Sequence, residues 1–385
     1  EIRLELPEKV RQIIEQIQKH GFEAYAVGGC VRDSLLGRTP DDWDITTSAK
    51  PQEVKAIFPR TIDTGIEHGT VTVMMGKEGF EVTTYRIDGA YLDGRHPESV
   101  EFSSNLVEDL KRRDFTINAM AYNEQQGLVD VFEGIEDMQR KVIRCVGNPK
   151  ERFGEDALRM MRAIRISAKL GFRIERATEA PIPRMAHLLE NVPSARLVDE
   201  ILKLLTCGHA VSCMKKLREE GLQKAILPVL DVIVSEPDGE QFLELALKRT
   251  DERIAIGKKI SPFFLFATLL WPQVVKRWRY NEEHRGLRRL EALHQASTEV
   301  LATQCQQLNI QRRFQVDMHD VWMLQARMEK RTGKATYAIV NHPRYRAAYD
   351  FMLLRVALGH VDASLTSWWE KFALAGEEER SRLIE

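Results

Sequence analysis

The stretch that most constrains how this chain folds is a pair of glycines followed by two closely spaced aspartates. Gly28 and Gly29 come directly after the apolar residues 25–27, and without a Cβ they let a ligand approach the backbone closely. Asp42 and Asp44 are separated by one residue, which predicts that both carboxylates lie on the same side of an extended strand. Proteins usually hold Mg²⁺ with one or two carboxylates together with substrate phosphates. The combination is typical of an enzyme that transfers nucleotidyl or phosphoryl groups.

Neither half of this pattern is specific by itself. Adjacent glycines occur in many turns, and an isolated Asp-x-Asp is more often a solvated strand end than a metal site. The residues between the two halves strengthen the prediction. Residues 35–41 are typical of a short helix that ends at Gly37 and is followed by a Pro-Asp turn leading into a strand.

The bulk composition is that of an ordinary globular protein, and its length allows about two to four domains. Apolar residues make up 43% of the 385 residues and charged residues 29%, so a sizeable core is expected. The formal net charge is −1. Any nucleic-acid binding must therefore come from basic residues gathered on one face.

Cysteine usage and hydropathy predict a cytoplasmic protein. The cysteines are five scattered residues, so a reducing compartment is expected rather than a disulfide framework. Cys207, His209 and Cys213 lack a second ligand pair with the spacing of a zinc finger. No leader segment is expected at the start of the chain, and no apolar run approaches the ~20 residues needed to cross a bilayer. A membrane partner is therefore not expected.

The order of sequence patterns predicts an α+β fold. Apolar residues at helical spacing predict a first helix over residues 8–20. From residue 25 to about 132, short strand-like runs alternate with helices and are separated by Gly, Asp and Pro. Beyond residue 145 nearly all of the chain has helical periodicity. We expect a mixed-sheet head followed by an all-helical extension.

A third carboxylate, Glu81, is a candidate partner of Asp42 and Asp44. It lies in the strand-like run 80–85, where Glu81, Thr83 and Tyr85 share one face. An exposed strand glutamate is the equally good alternative when the residues alone are considered.

Two arginine-rich motifs follow the strand region. Residues 111–120 place two adjacent arginines before an aspartate, and the guanidinium group is well shaped to bind phosphate oxygens in two-pronged fashion. In residues 155–165, Asp156, Arg159, Arg162 and Arg165 lie at three-residue steps, which predicts a row along one helix face. A solvated helix start is the alternative for residues 111–120. An amphipathic helix with surface ion pairs is the alternative for residues 155–165.

Two basic and aromatic segments in the helical extension are candidates for nucleic-acid contact. Cationic side chains gathered on a surface bind a phosphate backbone without reading sequence. The cations proposed to bind RNA are Arg312, Arg313, Lys330, Arg331, Lys334, Arg344 and Arg346. Residues 276–280, Lys-Arg-Trp-Arg-Tyr, have a similar character. A solvated helix face, with the aromatic residues in the core, is the alternative for both segments.

The whole string GGCVRDSLLGRTPDDWDITT resembles the signature of bacterial class II tRNA nucleotidyltransferases and poly(A) polymerases. Residues 112–119, Arg-Arg-Asp-Phe-Thr-Ile-Asn-Ala, and the Glu-Asp-x-x-Arg sequence at 155–159 resemble two further motifs of that family. The resemblance implies a DNA polymerase β-like nucleotidyltransferase head followed by an all-α neck, body and tail. The corresponding expected domains are a head at 1–145, a neck at 146–207, a body at 208–275 and an RNA-binding tail at 276–385.

The resemblance also implies roles for individual residues. Catalysis is expected from Asp42, Asp44 and Glu81, with Mg²⁺ on Asp42 and Asp44. The expected reaction is a two-metal attack of the RNA 3′-hydroxyl on the α-phosphate of the nucleotide. Nucleotide binding is expected from Gly28, Gly29, Arg32, Arg113, Asn118, Asp156, Arg159, Arg162 and Arg165. In the family an Asp and an Arg pair with the edge of the incoming base. An Asp accepts from the exocyclic amine shared by cytosine and adenine, so such a pair selects CTP and ATP.

The resemblance changes along the chain, which bears on the product. Residues 1 to about 175 resemble CCA-adding enzymes of the Gram-positive type, including the loop at 91–97, which is expected to assist the switch from C to A addition. From about 181 to 385 the chain resembles proteobacterial poly(A) polymerase, which leaves a chimeric origin open. We predict C and A addition to tRNA 3′ ends. Poly(A) addition and a non-catalytic RNA-binding protein with a relic head are the alternatives, and the oligomeric state is left open.

Overall fold

The computed structural model describes residues 1–88, 100–226 and 239–385. The chain divides into two compact units, Glu1–Val192 and Pro193–Glu385, and each is described by itself. Taken together, the two units match the predicted α+β class. The strands lie in the first unit, and the second unit is helical in its described part. The finer division into head, neck, body and tail stays a prediction.

The first unit is organised around a mixed sheet. Its strands in chain order are β1 (Ala24–Val27), β2 (Asp44–Thr47), β3 (Thr61–Gly65), β4 (Thr70–Met75), β5 (Glu78–Thr84), β6 (Arg86–Asp88), β7 (Val100–Phe102), β8 (Ala121–Asn123), β9 (Gly127–Val129), β10 (Val142–Ile143) and β11 (Arg173–Ile174). Within the described residues, seven of these strands form one sheet in the order β3-β4-β5-β2-β1-β8-β9. The pairs β6–β7 and β10–β11 lie outside that sheet.

Helices of the first unit cover and connect this sheet. They are α1 (Glu8–Lys19), α2 (Gly29–Leu35), α3 (Pro51–Ile57), α4 (Leu106–Lys111), α5 (Gly134–Arg140), α6 (Pro149–Glu155), α7 (Leu158–Leu170), α8 (Arg176–Glu179) and α9 (Ile182–Met185). The predicted first helix is confirmed as α1, and it buries the apolar stripe Val10, Ile13, Ile14 and Ile17. Burial of such a stripe, rather than helix propensity alone, stabilises a helix of this length.

The central strands β1 and β2 bring the two glycines and the two aspartates of the motif to the same end of the sheet. β1 runs antiparallel to β2, with Val27 opposite Asp44, so the chain leaves β1 at Gly28 just where β2 begins. β2 runs parallel to β5, with Ile45 opposite Val82. Asp44, the first residue of β2, therefore lies beside Glu81 in the middle of β5.

Two local predictions are wrong in detail. The strand expected to carry both aspartates begins only at Asp44, so Asp42 lies in the segment before β2. The helix expected to run through 155–165 is two helices, because α6 ends at Glu155 and Asp156 has an extended backbone with φ −146° and ψ 101°. Asp156 therefore precedes α7 rather than forming part of a continuous row with Arg159.

The second unit consists of helices packed around aromatic side chains. Its helices are α10 (Ser194–Leu205), α11 (Ala210–Glu219), α12 (Gln223–Ile226), α13 (Gly239–Ala255), α14 (Pro262–His284), α15 (Arg289–Leu308), α16 (Arg312–Arg327), α17 (Ala335–Val340), α18 (Tyr345–Ala357), α19 (Ala363–Leu374) and α20 (Glu377–Leu383). Trp369 on α19 is fully buried against Leu324, Met352 and Phe372. Its indole Nε1 donates to the carbonyl of Met328 at 2.7 Å, which satisfies the buried polar atom.

None of the helices in the described parts of the chain is both long enough and apolar enough to span a bilayer.

Candidate active site

The turn after β1 has a backbone conformation that glycine adopts most readily. Gly28 has φ +86° and ψ −137°, and a Cβ built on it would lie 3.4 Å from Nη1 of Arg113. The carbonyl of Gly28 accepts from the amides of Val31 and Arg32, which starts α2 at Gly29. Arg113 therefore lies close to this turn. The approach of a ligand to the backbone of Gly28 and Gly29 stays a prediction.

Arg32 and Asn118 meet although they are far apart in sequence. Arg32 is buried and donates from Nη1 to Asn118 Oδ1 at 2.7 Å, and its other nitrogens bind the carboxylate of Asp33. Asn118 in turn donates to Asp114 at 3.3 Å. These contacts fix the guanidinium of Arg32 beside the turn at Gly28.

Asp109 joins α4 to the sheet and was missed by sequence reasoning. Its side chain has no exposed surface, and it accepts from the Thr46 hydroxyl at 2.9 Å and from Arg112 and Arg113 at 3.2 and 3.4 Å. It also accepts from the backbone amide of Arg86 at 3.2 Å. The signal that was available is an aspartate three and four residues before two arginines in a helical segment.

The charges around Asp109 stabilise its ionised form. Burial acts to raise the pKa of Asp109, but Arg113 and then Arg112 outweigh it and lower the pKa below the ordinary value. Arg113 is affected in the opposite sense, since burial lowers its pKa while Asp109 acts to raise it. The buried Nε of Arg113 has no hydrogen-bond partner, so the guanidinium keeps an unused donor.

Asp42, Asp44 and Glu81 form a cluster of like charge at the start of β2 and the middle of β5. Desolvation by the surrounding protein is the largest influence, and with the charges of Glu81 and Asp42 it raises the pKa of Asp44 to about 6. Arg113 opposes this shift. The prediction that Glu81 lies on a strand beside Asp44 thus agrees with the geometry.

The carboxylates suit a divalent cation, but they do not supply a complete set of ligands for it. In the part of the chain that the structure describes, no three His, Cys, Asp or Glu side chains are placed to hold one ion. Mg²⁺ commonly needs only one or two carboxylates when substrate phosphates complete its shell. The mutual repulsion that raises the pKa of Asp44 is also what a bound dication would relieve. The role of Glu81 as a third ligand stays a prediction.

Asp156 and Arg159, which are predicted to pair with the incoming base, are bound to neighbouring groups of the protein. Asp156 accepts from the amide of Leu158 at 3.1 Å and contacts Arg162 at 3.4 Å, which places it at the start of α7. Arg159 is buried and binds Glu155 at 3.0 Å and the carbonyl of Arg152 at 2.8 Å. The structure thus brings Asp156 to Arg162 rather than into a straight row with Arg159.

Arg165 and the interface of α6 with α4 complete this region. The Nε of Arg165 is buried and has no hydrogen-bond partner. Arg152 donates to the carbonyls of Arg112 and Arg113, which ties α6 to the segment that carries the motif arginines. Arg152 was not singled out in the sequence and is a second missed positioning residue.

The cations predicted to bind RNA lie at the start of α16, just after its end, and at the start of α18, and RNA binding by them stays a prediction. Arg312 and Arg313 are exposed at the first residues of α16, whereas residues 330–334 follow its other end, about 22 Å away at 1.5 Å per residue. Arg344 is held by Asp317 at 3.0 Å, and Arg346 by Asp350 at 3.3 Å. The loop at 91–97 lies outside the described residues.

Three family models match consecutive parts of the chain. The head domain of poly(A) polymerase matches residues 24–144. The "Probable RNA and SrmB- binding site of polymerase A" matches residues 171–233, and the arginine-rich C-terminus of polymerase A matches residues 285–385.

Curated relatives cover the chain from end to end. Poly(A) polymerase I of Haemophilus influenzae is 37% identical, over 97% of this chain and 86% of the relative. The chain belongs to the poly(A) polymerase and tRNA nucleotidyltransferase family. As a member of that family it is a nucleotidyltransferase. The CCA-adding enzyme of Limosilactobacillus fermentum has a higher identity, 54%, but over only 53% of this chain and 51% of the relative.

Solved structures of the family share this fold. The CCA-adding enzyme of Bacillus stearothermophilus in complex with CTP is 31% identical, with a TM-score of 0.57 over 96% of this chain and 97% of that one. A tRNA nucleotidyltransferase complexed with a primer tRNA and an ATP analogue has the same TM-score of 0.57 at 21% identity, over 96% of this chain and 99% of that one. The predicted polymerase β-like head with a helical extension is confirmed. Poly(A) polymerase I of Haemophilus influenzae is similar across both halves of this chain. A chimeric origin of this chain stays a prediction.

Proposed function

We propose that this nucleotidyltransferase adds C and A from CTP and ATP to the 3′ ends of tRNA. The observation that supports the proposal is that the carboxylate of Asp44 interacts with the charges of both Glu81 and Arg113, and that Arg113 lies beside the turn at Gly28. An arginine beside two carboxylates suits the binding of a triphosphate. The arginine would bind phosphate oxygens on one side, and a metal ion on the carboxylates would bind them on the other.

The carboxylates would hold Mg²⁺, and the arginines would hold the triphosphate. Asp42 and Asp44 are the proposed ligands, with Glu81 as a third. When bound, Mg²⁺ would stabilise negative charge on the reacting oxygens and lower the pKa of the RNA 3′-hydroxyl. Arg113 has an unused buried donor and lies near Asp44, so it is proposed to bind phosphate oxygens.

Bond formation and cleavage follow from this placement. The RNA 3′-hydroxyl gives its proton to solvent and its oxygen attacks the α-phosphorus of the nucleotide. A new phosphodiester bond forms, the bond from the α-phosphorus to the bridging oxygen of the β-phosphate breaks, and pyrophosphate leaves with the electrons of that bond. Arg32, held in place by Asn118, is proposed to neutralise charge on the departing phosphates.

Base choice is proposed to depend on Asp156 and Arg159, with Arg162 and Arg165 supporting the nucleotide. Asp156 now contacts Arg162, and Arg159 contacts Glu155, so both must exchange a partner to reach a base. A carboxylate that accepts from an exocyclic amine would accept cytosine and adenine and reject uracil and guanine. The RNA itself is proposed to contact Lys330, Arg331 and Lys334, which are exposed.

Poly(A) addition is the second candidate, and one observation favours it. Poly(A) polymerase I of Haemophilus influenzae is similar over 97% of this chain, whereas the similarity to the Limosilactobacillus fermentum CCA-adding enzyme covers 53%. The higher identity of the second match, 54% against 37%, and the CCA-type motifs of the head support the first candidate.

The products of one reaction distinguish the two candidates. Purified protein is incubated with Mg²⁺, tRNA that lacks its CCA end and each labelled nucleotide, singly and together, and the products are separated by length. Addition of C, C and A followed by arrest supports CCA addition. A long ladder made with ATP alone, on tRNA and on other RNAs, supports poly(A) addition. No incorporation with any RNA would contradict both.

A further inference from the structure

The second unit contains a cavity of about 570 Å³ bordered by the segment 276–280, whose role the sequence left open. Trp271, Val275 and Trp278 follow one another at helical spacing along α14 and line one wall. Pro272 lies beside them within the helix. Because proline has no amide hydrogen, α14 lacks a backbone hydrogen bond at this wall.

A buried arginine reaches the cavity from α18. Arg355 is only 7% exposed, and its guanidinium lies 5.2 Å from the ring centre of Trp271. Its Nη1 donates to Gln325 Oε1 at 3.0 Å, but its buried Nε has no acceptor. Burial lowers the pKa of Arg355 to about 10, so the side chain still carries its charge at neutral pH.

Arg355 makes no direct ion pair with a described residue, although the charge of Glu329 acts to raise its pKa and that of Arg289 to lower it. Within the three described ranges, no carboxylate lies at salt-bridge distance from it. Glu329 is bound by Nε and Nη2 of Arg289, at 2.6 and 2.7 Å, and Glu282 by Nη1 of Arg289 at 3.0 Å. Glu283 is exposed at the rim of the cavity. A buried guanidinium whose Nε has no acceptor and that lacks a direct ion pair is costly, which favours an anionic ligand.

Among the described residues that line the cavity, the exposed aromatic rings are those of Tyr280, which is 46% exposed, and His360. Phe242 and Trp278 are almost completely buried. The guanidinium of Arg289 lies 4.1 Å from the ring centre of Trp278. Phe242 and His360 are nearly parallel, at 13° and 6.5 Å between ring centres. Stacking on aromatic rings and on arginine planes is how proteins hold single nucleobases. The cavity volume also lies in the range of small-molecule sites, about 300–1,000 Å³.

We propose that this cavity is a second nucleotide-binding site, which holds a nucleoside phosphate with its phosphate on Arg355 and its base against the exposed rings of Tyr280 and His360. The ligand is either a free nucleotide or one nucleotide of a single-stranded RNA, since both offer the same planar base and phosphate. The site is separate from the proposed catalytic residues, and its occupancy does not depend on whether the enzyme adds CCA or A.

Binding is measured on the full chain with the catalytic nucleotide site weakened by Arg113→Gln and Asp156→Asn. Into this background we introduce Arg355→Gln, which removes the charge, and Val275→Phe, which fills the cavity and keeps the arginine. Arg382→Gln, an exposed arginine of α20, is the matched control for the loss of one charge. Equilibrium dialysis with labelled AMP and with a short oligoadenylate gives the affinities, and thermal unfolding followed by circular dichroism checks each fold.

Arg355→Gln and Val275→Phe are each expected to weaken binding by about tenfold or more, while Arg382→Gln leaves it unchanged. Weakened binding of AMP identifies a free nucleotide as the ligand, and weakened binding of the oligoadenylate alone identifies RNA. If Arg355→Gln unfolds the protein, Val275→Phe decides the result. Unchanged affinity for both ligands in a folded variant, or an equal loss in the Arg382→Gln control, would overturn the proposal.

Discussion

Asp44 carries a negative charge that the folded protein disfavours. Desolvation and the nearby carboxylates Glu81 and Asp42 raise its pKa to about 6, from an ordinary value of 3.8. At neutral pH the carboxylate is ionised in both the folded and the unfolded chain, so the shift lowers the free energy of unfolding. Charge kept at a site in spite of such a penalty is characteristic of function rather than of stability.

Replacing Asp44 with Asn should therefore stabilise the metal-free protein at pH 7, by on the order of 1 kcal/mol because solvent screens part of the effect. Below pH 3.8 both states of the wild type are protonated and the advantage disappears. As the pH rises from there to about 6, the unfolded chain ionises first, and wild-type stability falls relative to the variant. Melting temperatures measured from pH 4 to 7 test this, with Asp41→Asn as the control. A difference that does not change with pH would contradict the assignment.

Gly28 allows both an unusual backbone and a close contact, and the two effects are separable. Gly28→Ala should destabilise the fold by about 1–3 kcal/mol because of the positive φ. It should also raise the KM for nucleotide, because the Cβ would lie 3.4 Å from Nη1 of Arg113, at the limit of ordinary van der Waals contact. Gly37→Ala is the matched control, since Gly37 also has a positive φ, +74°, but nothing lies within 4 Å of its Cβ. Stability is read from urea unfolding and KM from initial rates. Equal changes in KM for the two variants would show that only general strain is involved.

At the scale of secondary structure, the carboxylate of Asp109 links β2, the start of β6 and α4. It binds Thr46, the amide of Arg86 and the two arginines after α4. Because an arginine in this position depends on its buried partner, the location of Arg113 depends on a residue that we do not expect to touch the substrate. Asp109 is accordingly a positioning residue.

Asp109→Asn should lower the free energy of unfolding by about 3 kcal/mol, because two arginines lose a buried partner, and should raise the KM for nucleotide more than it lowers kcat. Asp251→Asn is the control. Asp251 accepts from the amides of Ala210 and Val211 in the second unit, so its loss should reduce stability without changing KM. A KM unchanged in Asp109→Asn would show that Arg113 does not depend on this carboxylate.

Local patterns predicted the elements better than the contacts between them. Strand alternation placed Glu81 on the correct face, since the side-chain direction in a strand follows from sequence position alone. Arg32 and Asn118 are 86 residues apart, so no local pattern predicts their contact. The motifs implied only that each of them binds the nucleotide. The break at Asp156 was also invisible, because Glu, Asp and Ala are all compatible with a helix interior. Asp109 looked like one more charged residue of a solvated helix.

For the whole molecule, a net charge of −1 means that RNA binding must rely on local groups of cations. The exposed residues Lys330 and Arg331 are the proposed example. Replacing both with Gln should weaken binding of tRNA lacking its CCA end, and should reduce the slope of log K against log salt by about 1–2 units. Lys258→Gln with Lys259→Gln removes the same charge from another exposed segment and is the control. Equal slopes for the two double variants would contradict a local RNA contact.

The most direct test of the proposed chemistry is the rate of single-turnover nucleotide incorporation by Asp44→Asn. Wild type, Asp44→Asn and the control Asp41→Asn are compared on tRNA lacking its CCA end with saturating CTP and Mg²⁺, and RNA affinity is measured in parallel. Loss of the metal ligand should reduce the rate by about a thousandfold or more, with RNA affinity and the control unchanged. A rate close to wild type in Asp44→Asn would show that the reaction does not take place at these carboxylates.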